Sequence, residues 1–518
     1  MKKLPLGIQS FEKVRLNDCL YVDKTDLMFD MAQNNKAVFF LSRPRRFGKS
    51  LLISTLKAYF KGKRELFEGL KVMDLEKEWH PYTVLHLDLN TGDYTSEKGI
   101  WDMFRSNIMN WERDNGITSS EDISIPNRIE QIIRNNAPVV FLVDEYDKPL
   151  LETVDQPELQ ARFRTILKSV YSVLKTCDQY IRFAFITGVS KFSQVSIFSD
   201  LNNLNDISLE ERFSTLCGIT EQELHDCFQE HAAAMAKAQD MTVDEVFAKT
   251  KAMYDGYHFA CDLRDVYNPY SLLYAFTNLK FNDFWFQLGT PTFLTKMLKE
   301  QEVNIEELVE GRMEAVDIMN SNKLDDNLAG LLYQTGYVTI KSYDKLTGLY
   351  RLGFPNGEVT QGFISSLFPI YLDKSDIKRS SFLSRSYETL FNGKPEEFLQ
   401  LMQSFMADIP YELVRPSENY YQTVIYIICR FLGFRVKAEY HTSRGRIDML
   451  LQHGGYTYIF EFKIDGSADG AIAQINDRDY PLPFAADGTK LYKIGVNFNT
   501  GKRNIDEWRI INENNEKK

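Results

Sequence analysis

Short apolar runs separated by longer amphipathic stretches fill the first two hundred residues. Ala37-Val-Phe-Phe-Leu41, Val84-Leu-His-Leu-Asp88, Val139-Val-Phe-Leu-Val143 and Ile181-Arg-Phe-Ala-Phe-Ile186 are rich in β-branched or aromatic residues, and each is followed by a polar break. That is how strands buried on both faces read, and the intervening stretches predict helices, so the alternation predicts a parallel sheet flanked by helices. From about Thr220 to about Ser380 the pattern becomes mainly helical. It opens on a capping box, Thr220 with Glu223, and includes a small mixed region around Gly330 to Pro369. A linker-like stretch, Asp373-Lys-Ser-Asp-Ile-Lys-Arg-Ser-Ser381, precedes further helices. Near Pro416 the pattern changes again. A helix over Glu418 to Leu432 leads to strands at Phe434 to Tyr440, Ile447 to Gln452 and Tyr456 to Lys463, then a helix near Ala468 to Arg478 and a strand at Leu491 to Phe498. The expected domains are an α/β core over 1–220, a helical lid with a small mixed subdomain over 221–385, and linker helices with a second α/β domain over 386–518.

The strand ends of the first domain carry a recognisable chemistry. Arg43-Pro-Arg-Arg-Phe-Gly-Lys-Ser50 follows one strand and opens a helix, the context of a P-loop. Consecutive backbone N–H groups and the helix N-terminus are placed to hold phosphates, Lys49 to reach the β and γ oxygens, and the Ser50 hydroxyl to bind Mg²⁺. Arg43 stands where the first glycine of such a loop is usual, which admits a tighter loop whose arginines add phosphate contacts. The cofactor-binding candidates are therefore Arg43, Pro44, Arg45, Arg46, Phe47, Gly48, Lys49 and Ser50. Val139-Val-Phe-Leu-Val-Asp-Glu145 ends a strand in two carboxylates, Asp144 to hold Mg²⁺ through water and Glu145 to polarise an attacking water. In Ile186-Thr-Gly-Val-Ser190 a third strand ends in hydroxyls, with Thr187 or Ser190 placed to sense a γ-phosphate. Three such elements in this order predict binding of a nucleotide with Mg²⁺, and hydrolysis if Glu145 acts on water.

Composition refines the picture at two points. The formal charge is −11, from 61 Lys+Arg and 72 Asp+Glu, which argues against coating nucleic acid through bulk charge. Yet from Arg43 to Arg64 there are eight basic residues and no acidic one, a density suited to polyphosphate or to a nucleic-acid backbone. Tyr411 to Lys518 is nearly neutral, with 15 basic against 14 acidic residues. No apolar run follows Met1-Lys2-Lys3-Leu4-Pro5 in the manner of a signal peptide, and no stretch is long and apolar enough to span a membrane. The six cysteines form no CxxC pair, so reduced thiols in a cytoplasmic protein are expected.

The last hundred residues carry a second constellation. Gly445-Arg-Ile-Asp448 starts one strand and Phe460-Glu-Phe-Lys463 ends the next. Glu461 and Lys463 are two apart and share a face, and the Gly454-Gly455 turn lets Asp448 sit beside Glu461. Two carboxylates to hold Mg²⁺ and an ammonium to orient or deprotonate a water suit metal-assisted phosphodiester hydrolysis.

The motifs also carry resemblances. Phe11 with Tyr21-Val-Asp-Lys-Thr25, the Arg43–Ser50 loop, Asp144-Glu-Tyr-Asp147, Thr187-Gly-Val-Ser190, Phe198-Ser-Asp-Leu-Asn-Asn-Leu204, Tyr254-Asp-Gly-Tyr-His-Phe259 and Asn268-Pro-Tyr-Ser271 resemble the bacterial AAA-ATPase-like family over about residues 4 to 280. The resemblance implies that Arg43 in place of glycine is the family's own variant, and through the wider AAA+ and signal-transducing ATPase groups it implies a helical lid and hydrolysis coupled to a homo-oligomer. Arg212 is a candidate for a trans-acting arginine, with a surface ion pair as the competing reading. The Asp448…Glu461-x-Lys463 set resembles the PD-(D/E)xK nuclease superfamily, a restriction-endonuclease-like α/β fold. That likeness implies an auxiliary active-site role for Gln474 and an additional metal ligand in Glu418.

Together these readings predict an ATP-binding, ATP-hydrolysing protein coupled to a Mg²⁺-dependent nuclease, with Mn²⁺ an acceptable substitute. The catalytic candidates are Glu145, Asp448, Glu461, Lys463 and Gln474, and the metal-ligand candidates are Ser50, Asp144, Glu418, Asp448 and Glu461. DNA is the expected substrate by superfamily analogy. The alternative is a nucleotide-dependent switch whose nuclease-like domain docks a partner without cutting; a P-loop kinase acting on a small molecule is a third, weaker reading.

Overall fold

A computed structural model describes residues 1–33, 38–117, 122–191, 197–198, 201, 203–285, 308, 311, 313–315, 318, 328–371, 376–409, 418–432, 434–453 and 455–513. Ala37, parts of the 198–204 motif, residues 373–375 of the linker-like stretch, Pro416 and Gly454 lie outside these residues. The chain divides into two compact units, Met1–Gly289 with Glu310–Thr360 and Thr290–Val309 with Gln361–Lys518.

In the first unit, β1 (Val38–Ser42), β2 (Thr83–Asp88), β3 (Val139–Asp144), β4 (Ile181–Gly188) and β5 (Leu204–Asp206) form one sheet in the order β2-β3-β4-β1-β5. Every neighbouring pair is parallel. Every residue of β1 and β3 is buried, which explains why their sequences are continuous apolar runs and not alternations. The helices Glu97–Asp114, Ile125–Asn135 and Pro157–Tyr171 contribute Phe104, Trp111, Ile129, Ile133, Phe163 and Leu167 to a core that includes Phe40, Leu85, Phe141 and Ala184. The helix Lys49–Phe60 brings Phe60 to Phe183, with ring centroids 5.0 Å apart, and Phe183 stacks on Phe39. The three-residue β5 was not among the predicted strands.

Thr220 caps the helix Glu221–Gln239 by the reciprocal bonding with Glu223 that its spacing predicts, and Thr242 with Glu245 repeats the device at Val243–Tyr254. The small mixed region forms the helix Leu328–Thr335 and a three-stranded antiparallel sheet of β6 (Met313–Ala315), β8 (Leu349–Gly353) and β7 (Thr339–Asp344), in that order.

In the second unit the sheet order is β13-β12-β11-β10-β9, from β9 (Arg435–Thr442), β10 (Gly445–His453), β11 (Tyr456–Ile464), β12 (Lys490–Asn499) and β13 (Asn504–Asn512). All pairs are antiparallel except β11 with β12, and that pair is joined by a crossover containing the helix Ala468–Asp477. The edge strand β13 was not predicted. No helix among the described residues is long and apolar enough to cross a membrane, and the six cysteines are free thiols.

Candidate active sites

Each unit gathers polar side chains at one place. In the first, β4 lies between β1 and β3, so the three strands deliver Ser42, Asp144 and Thr187-Gly188 to one end of the sheet. The loop from Arg43 rises there and turns into the helix at Lys49, with Gly48 at φ 93°. A Cβ at Gly48 would meet nothing, so glycine is favoured by backbone conformation and not by space. Arg46 at φ 69° and Glu145 at φ 52° are non-glycine residues in the left-handed region, a costly conformation that concentrates at functional sites.

Lys49 is buried, and its Nζ donates to the carbonyls of Arg43 at 2.8 Å and Pro44 at 2.9 Å. Burial lowers its pKa, opposed by the negative charges of Glu145 and Asp144. Asp144 is buried and accepts a hydrogen bond from the Thr187 hydroxyl at 2.9 Å. Burial raises the Glu145 pKa, Lys49 opposing and Asp144 and Asp147 reinforcing the shift. Ser50, the first-turn hydroxyl, is half-buried.

The arginines of the loop do not behave alike. The Arg43 guanidinium is 1% exposed, donates to the carbonyls of Ser42, Ser208 and Phe213, and lies 4.3 Å from the centroid of the Phe259 ring. The expected phosphate contact from its side chain is therefore replaced by a strut beneath the loop; its backbone N–H donates to Gly188 and its carbonyl accepts from Lys49. Arg46 stacks on Tyr270 and donates to the Trp285 carbonyl at 2.9 Å. Arg45 is exposed, Pro44 has no N–H to offer, and Phe47 is clamped edge-on between Tyr257 and Phe259.

Sequence reasoning gave no role to Asp147. It is fully buried and accepts from the amides of Val189 (3.2 Å) and Ser190 (2.7 Å) and from the Ser190 hydroxyl (2.6 Å), so Ser190 is committed to it. Burial raises its pKa against those donors. Gly188 must be glycine, because a Cβ would lie 2.5 Å from the Tyr146 ring and 2.6 Å from Asp147 Oδ1. Lys191, next along, pairs with Asp206 and gives its N–H to Gln334 Oε1 at 2.6 Å. Asp147 stands three residues after Asp144, the one sequence signal that pointed to it; Gln334 offered none.

Residues of the other motifs are bonded locally. Asp88 accepts from the Asn90 amide as a turn cap, and Asp23 accepts from the amide and hydroxyl of Thr25. His258 Nδ1 lies 2.6 Å from the Ile340 carbonyl and Nε2 2.6 Å from Asp265, so both ring nitrogens are engaged in structural bonds. Arg212 forms an ion pair with Asp30.

In the second unit Asp448, Glu461, Lys463 and Gln474 come together. The flanking pairs Met449↔Phe460 and Leu450↔Ile459 put Asp448 beside Glu461 on the next strand. Asp448 Oδ2 accepts from the Phe462 amide at 2.8 Å. Lys463 Nζ reaches Glu461 Oε1 at 3.2 Å and Gln474 Oε1 at 2.9 Å, and Gln474 Nε2 donates to Glu461. The approach of Gln474 depends on Gly495, which pairs with Glu461 on β12: a Cβ there would lie 2.4 Å from the Ala468 carbonyl on the crossover helix. Glu418 is the first residue of the helix Glu418–Phe431, and its side chain lies outside the described residues. One turn on, Gln422 donates to the Asp448 carbonyl at 2.9 Å, a residue the sequence reading did not single out. Among the described residues no group of three or more carboxylate, imidazole or thiol side chains is poised to hold a metal. Two carboxylates on adjacent strands suit Mg²⁺, which keeps several waters and is held by one or two protein carboxylates together with substrate phosphate.

Comparison with known proteins places these features. Residues 5–198 match the model of a family described as predicted AAA-ATPase, and residues 416–508 match that of the PD-(D/E)XK nuclease superfamily. The chain is 35% identical over 521 residues to an uncharacterized protein in the vnfD 5′ region of Azotobacter chroococcum mcd 1, covering 97% of this chain and 98% of that protein.

Proposed function

The chain belongs to the family of predicted AAA-ATPases that end in a PD-(D/E)XK nuclease superfamily domain, and from that premise we propose that it binds and hydrolyses ATP in the first unit and cuts phosphodiester bonds in DNA with the second. The observation that carries the nuclease half is the contact of Lys463 with Glu461 and Gln474 beside Asp448. Asp448 and Glu461 hold Mg²⁺ or Mn²⁺, with Glu418 a further ligand. A cation held there would supply a more acidic water and would offset charge on the scissile phosphate. Lys463 orients or deprotonates that water, and Gln474 fixes the Lys463 ammonium and the Glu461 carboxylate together.

In the first unit Lys49 exchanges its two loop carbonyls for the β and γ oxygens of ATP, and the amides following Pro44 hold the phosphates at the helix N-terminus. Ser50 and Asp144 are the metal ligands. Glu145 polarises the attacking water, and burial, by raising its pKa, makes its carboxylate a better proton acceptor than an exposed one. Thr187, hydrogen-bonded to Asp144, reports the γ-phosphate.

The test is cleavage of plasmid, linear duplex and single-stranded DNA with Mg²⁺ or Mn²⁺, with and without ATP. Wild type is expected to cut, Asp448→Ala to lose cutting while still hydrolysing ATP, and Lys49→Ala to lose hydrolysis. Cutting that persists in Asp448→Ala, or its absence from wild type under every condition while ATP is still bound, removes the nuclease assignment.

A further inference from the structure

The outer positions of β9 carry Arg435, Lys437, Glu439 and His441 at every second residue, with Val436 and Ala438 buried between the first three. Arg435, Lys437 and His441 are exposed, and β9 is the edge strand of its sheet. Across the hairpin, Arg446 stands opposite His441 and is exposed, and Arg444 at the turn pairs with Asp479 at 3.2 Å. From Arg435 to Arg446 there are four Lys or Arg residues and a single carboxylate, Glu439. This is a basic track on the strand beside Asp448, of the kind that follows a nucleic-acid backbone.

That single carboxylate sits at the centre of the track. The pairs Ala438↔Met449 and Tyr440↔Ile447 place Glu439 opposite Asp448, and Glu439 itself has φ 52°. Its carboxylate forms an ion pair with Arg446, and its Oε1 lies 3.4 Å from Nε2 of Gln422, the amide that also donates to the Asp448 carbonyl. Glu439 is thus one amide group away from the catalytic aspartate. The backbone of Arg446 is pinned by the Tyr480 hydroxyl, which donates to its carbonyl at 2.6 Å, while its side chain is 56% exposed and can swing.

We propose that Arg446 binds a backbone phosphate of the DNA substrate and that Glu439 is the counter-ion this phosphate displaces. The pair is exposed on the arginine side but only 19% exposed on the glutamate side, so a phosphate that takes the guanidinium must outweigh the cost of leaving Glu439 with the Gln422 amide alone. Arginine suits the exchange because its planar fork fits either oxyanion with paired hydrogen bonds. Without substrate, Glu439 holds the Arg446 guanidinium. The inference rests on the nuclease reading above and assigns it the residues that seat the substrate.

The experiment measures binding of a short fluorescent DNA duplex by the full chain in the cleavage-silent Asp448→Ala background, across a salt titration. Glu439→Gln is expected to tighten binding about threefold, because the competitor is gone. Arg446→Gln is expected to weaken it about fivefold and to reduce the slope of log affinity against log salt by about one, and Arg446→Lys to restore that slope. The double variant should match Arg446→Gln alone, since Glu439 acts through Arg446. Unchanged or weaker binding by Glu439→Gln, or tightening that survives in the double variant, overturns the proposal even where wild type cuts DNA. Failure of the Asp448→Ala chain to bind any DNA overturns it, and wild-type cleavage reports separately on the reading on which it rests. Unchanged melting temperatures for all variants exclude loss of fold as the cause.

Discussion

The two sites are built from segments at very different distances along the chain. The candidate nucleotide site draws on residues 43–50, 144–147 and 187–190, brought together because β4 lies between β1 and β3, and it is steadied by Gln334 from still further on. The candidate nuclease site draws on Asp448, Glu461, Lys463 and Gln474, one hairpin and the crossover helix that follows it. The first therefore stands on the long-range order of a buried sheet, and its charges are desolvated with pKa values pushed from their usual range. The second stands on local pairing, with the Lys463 ammonium directly against the Glu461 carboxylate. Sites of the first kind should fail when distant scaffolding is disturbed, and sites of the second only when adjacent positions change.

The sharpest separation comes from removing either lysine. Lys49→Met should weaken nucleotide binding more than about a hundredfold and abolish the nucleotide-induced rise in melting temperature, leaving DNA binding by the second unit in place. Lys463→Met should lower the cleavage rate at least about a hundredfold with ATP hydrolysis retained. Isothermal titration and single-turnover cleavage read the two, and parallel loss of both activities in either variant would erase the distinction. Next in size, Asp147→Ala should cost about 2–3 kcal/mol in chemical denaturation and abolish hydrolysis, although Asp147 lies beyond the loop and the metal ligands, because three donors lose one buried acceptor. Retained hydrolysis in a stable variant would show that the site tolerates distant damage after all. Gly495→Val should lower cleavage about tenfold by pushing the crossover helix, and with it Gln474, off β12, with hydrolysis unchanged.

The smallest effect is in pH dependence. Asp255, buried at the end of Val243–Tyr254 with Lys251 Nζ 3.9 Å away, has its pKa raised to about 7, chiefly by burial. The folded value exceeds the unfolded one, so its contribution is fully present below about pH 4 and is lost as pH rises through about 7. Asp255→Asn should remove about 1–2 kcal/mol of the wild type's loss of stability between pH 5 and pH 8, read by denaturation at both values. An identical loss in the variant would show that burial does not govern this carboxylate.

Much of both sites was legible because motif and context agreed. The lysine of the loop, the strand-end carboxylates and the threonine all fall where β1, β3 and β4 end, and the two-residue spacing of Glu461 and Lys463 translates directly into contact. Direction of side chains was not legible. Arg43 reads as a phosphate ligand until Ser208 and Phe213 are seen to supply carbonyls beneath it, from 165 and 170 residues away. Glu439 reads as one more outward residue of a strand, since nothing in its sequence announces a left-handed backbone there. The strands β5 and β13 escaped prediction for different reasons. The first is three residues long, and the second is an edge whose outward positions are polar enough to resemble a tail.

The placement of β4 between β1 and β3 also bears on how the chain matures at the ribosome. A nascent polypeptide that has emerged to about residue 150 already contains the phosphate loop and both strand-end carboxylates, yet lacks the strand that must lie between them. Until residues 181–188 arrive, β1 and β3 present open edges made of their most apolar residues, a surface that invites mispairing with each other or with a neighbouring chain. Slow synthesis across that interval, or a truncation within it, prolongs or fixes that exposure.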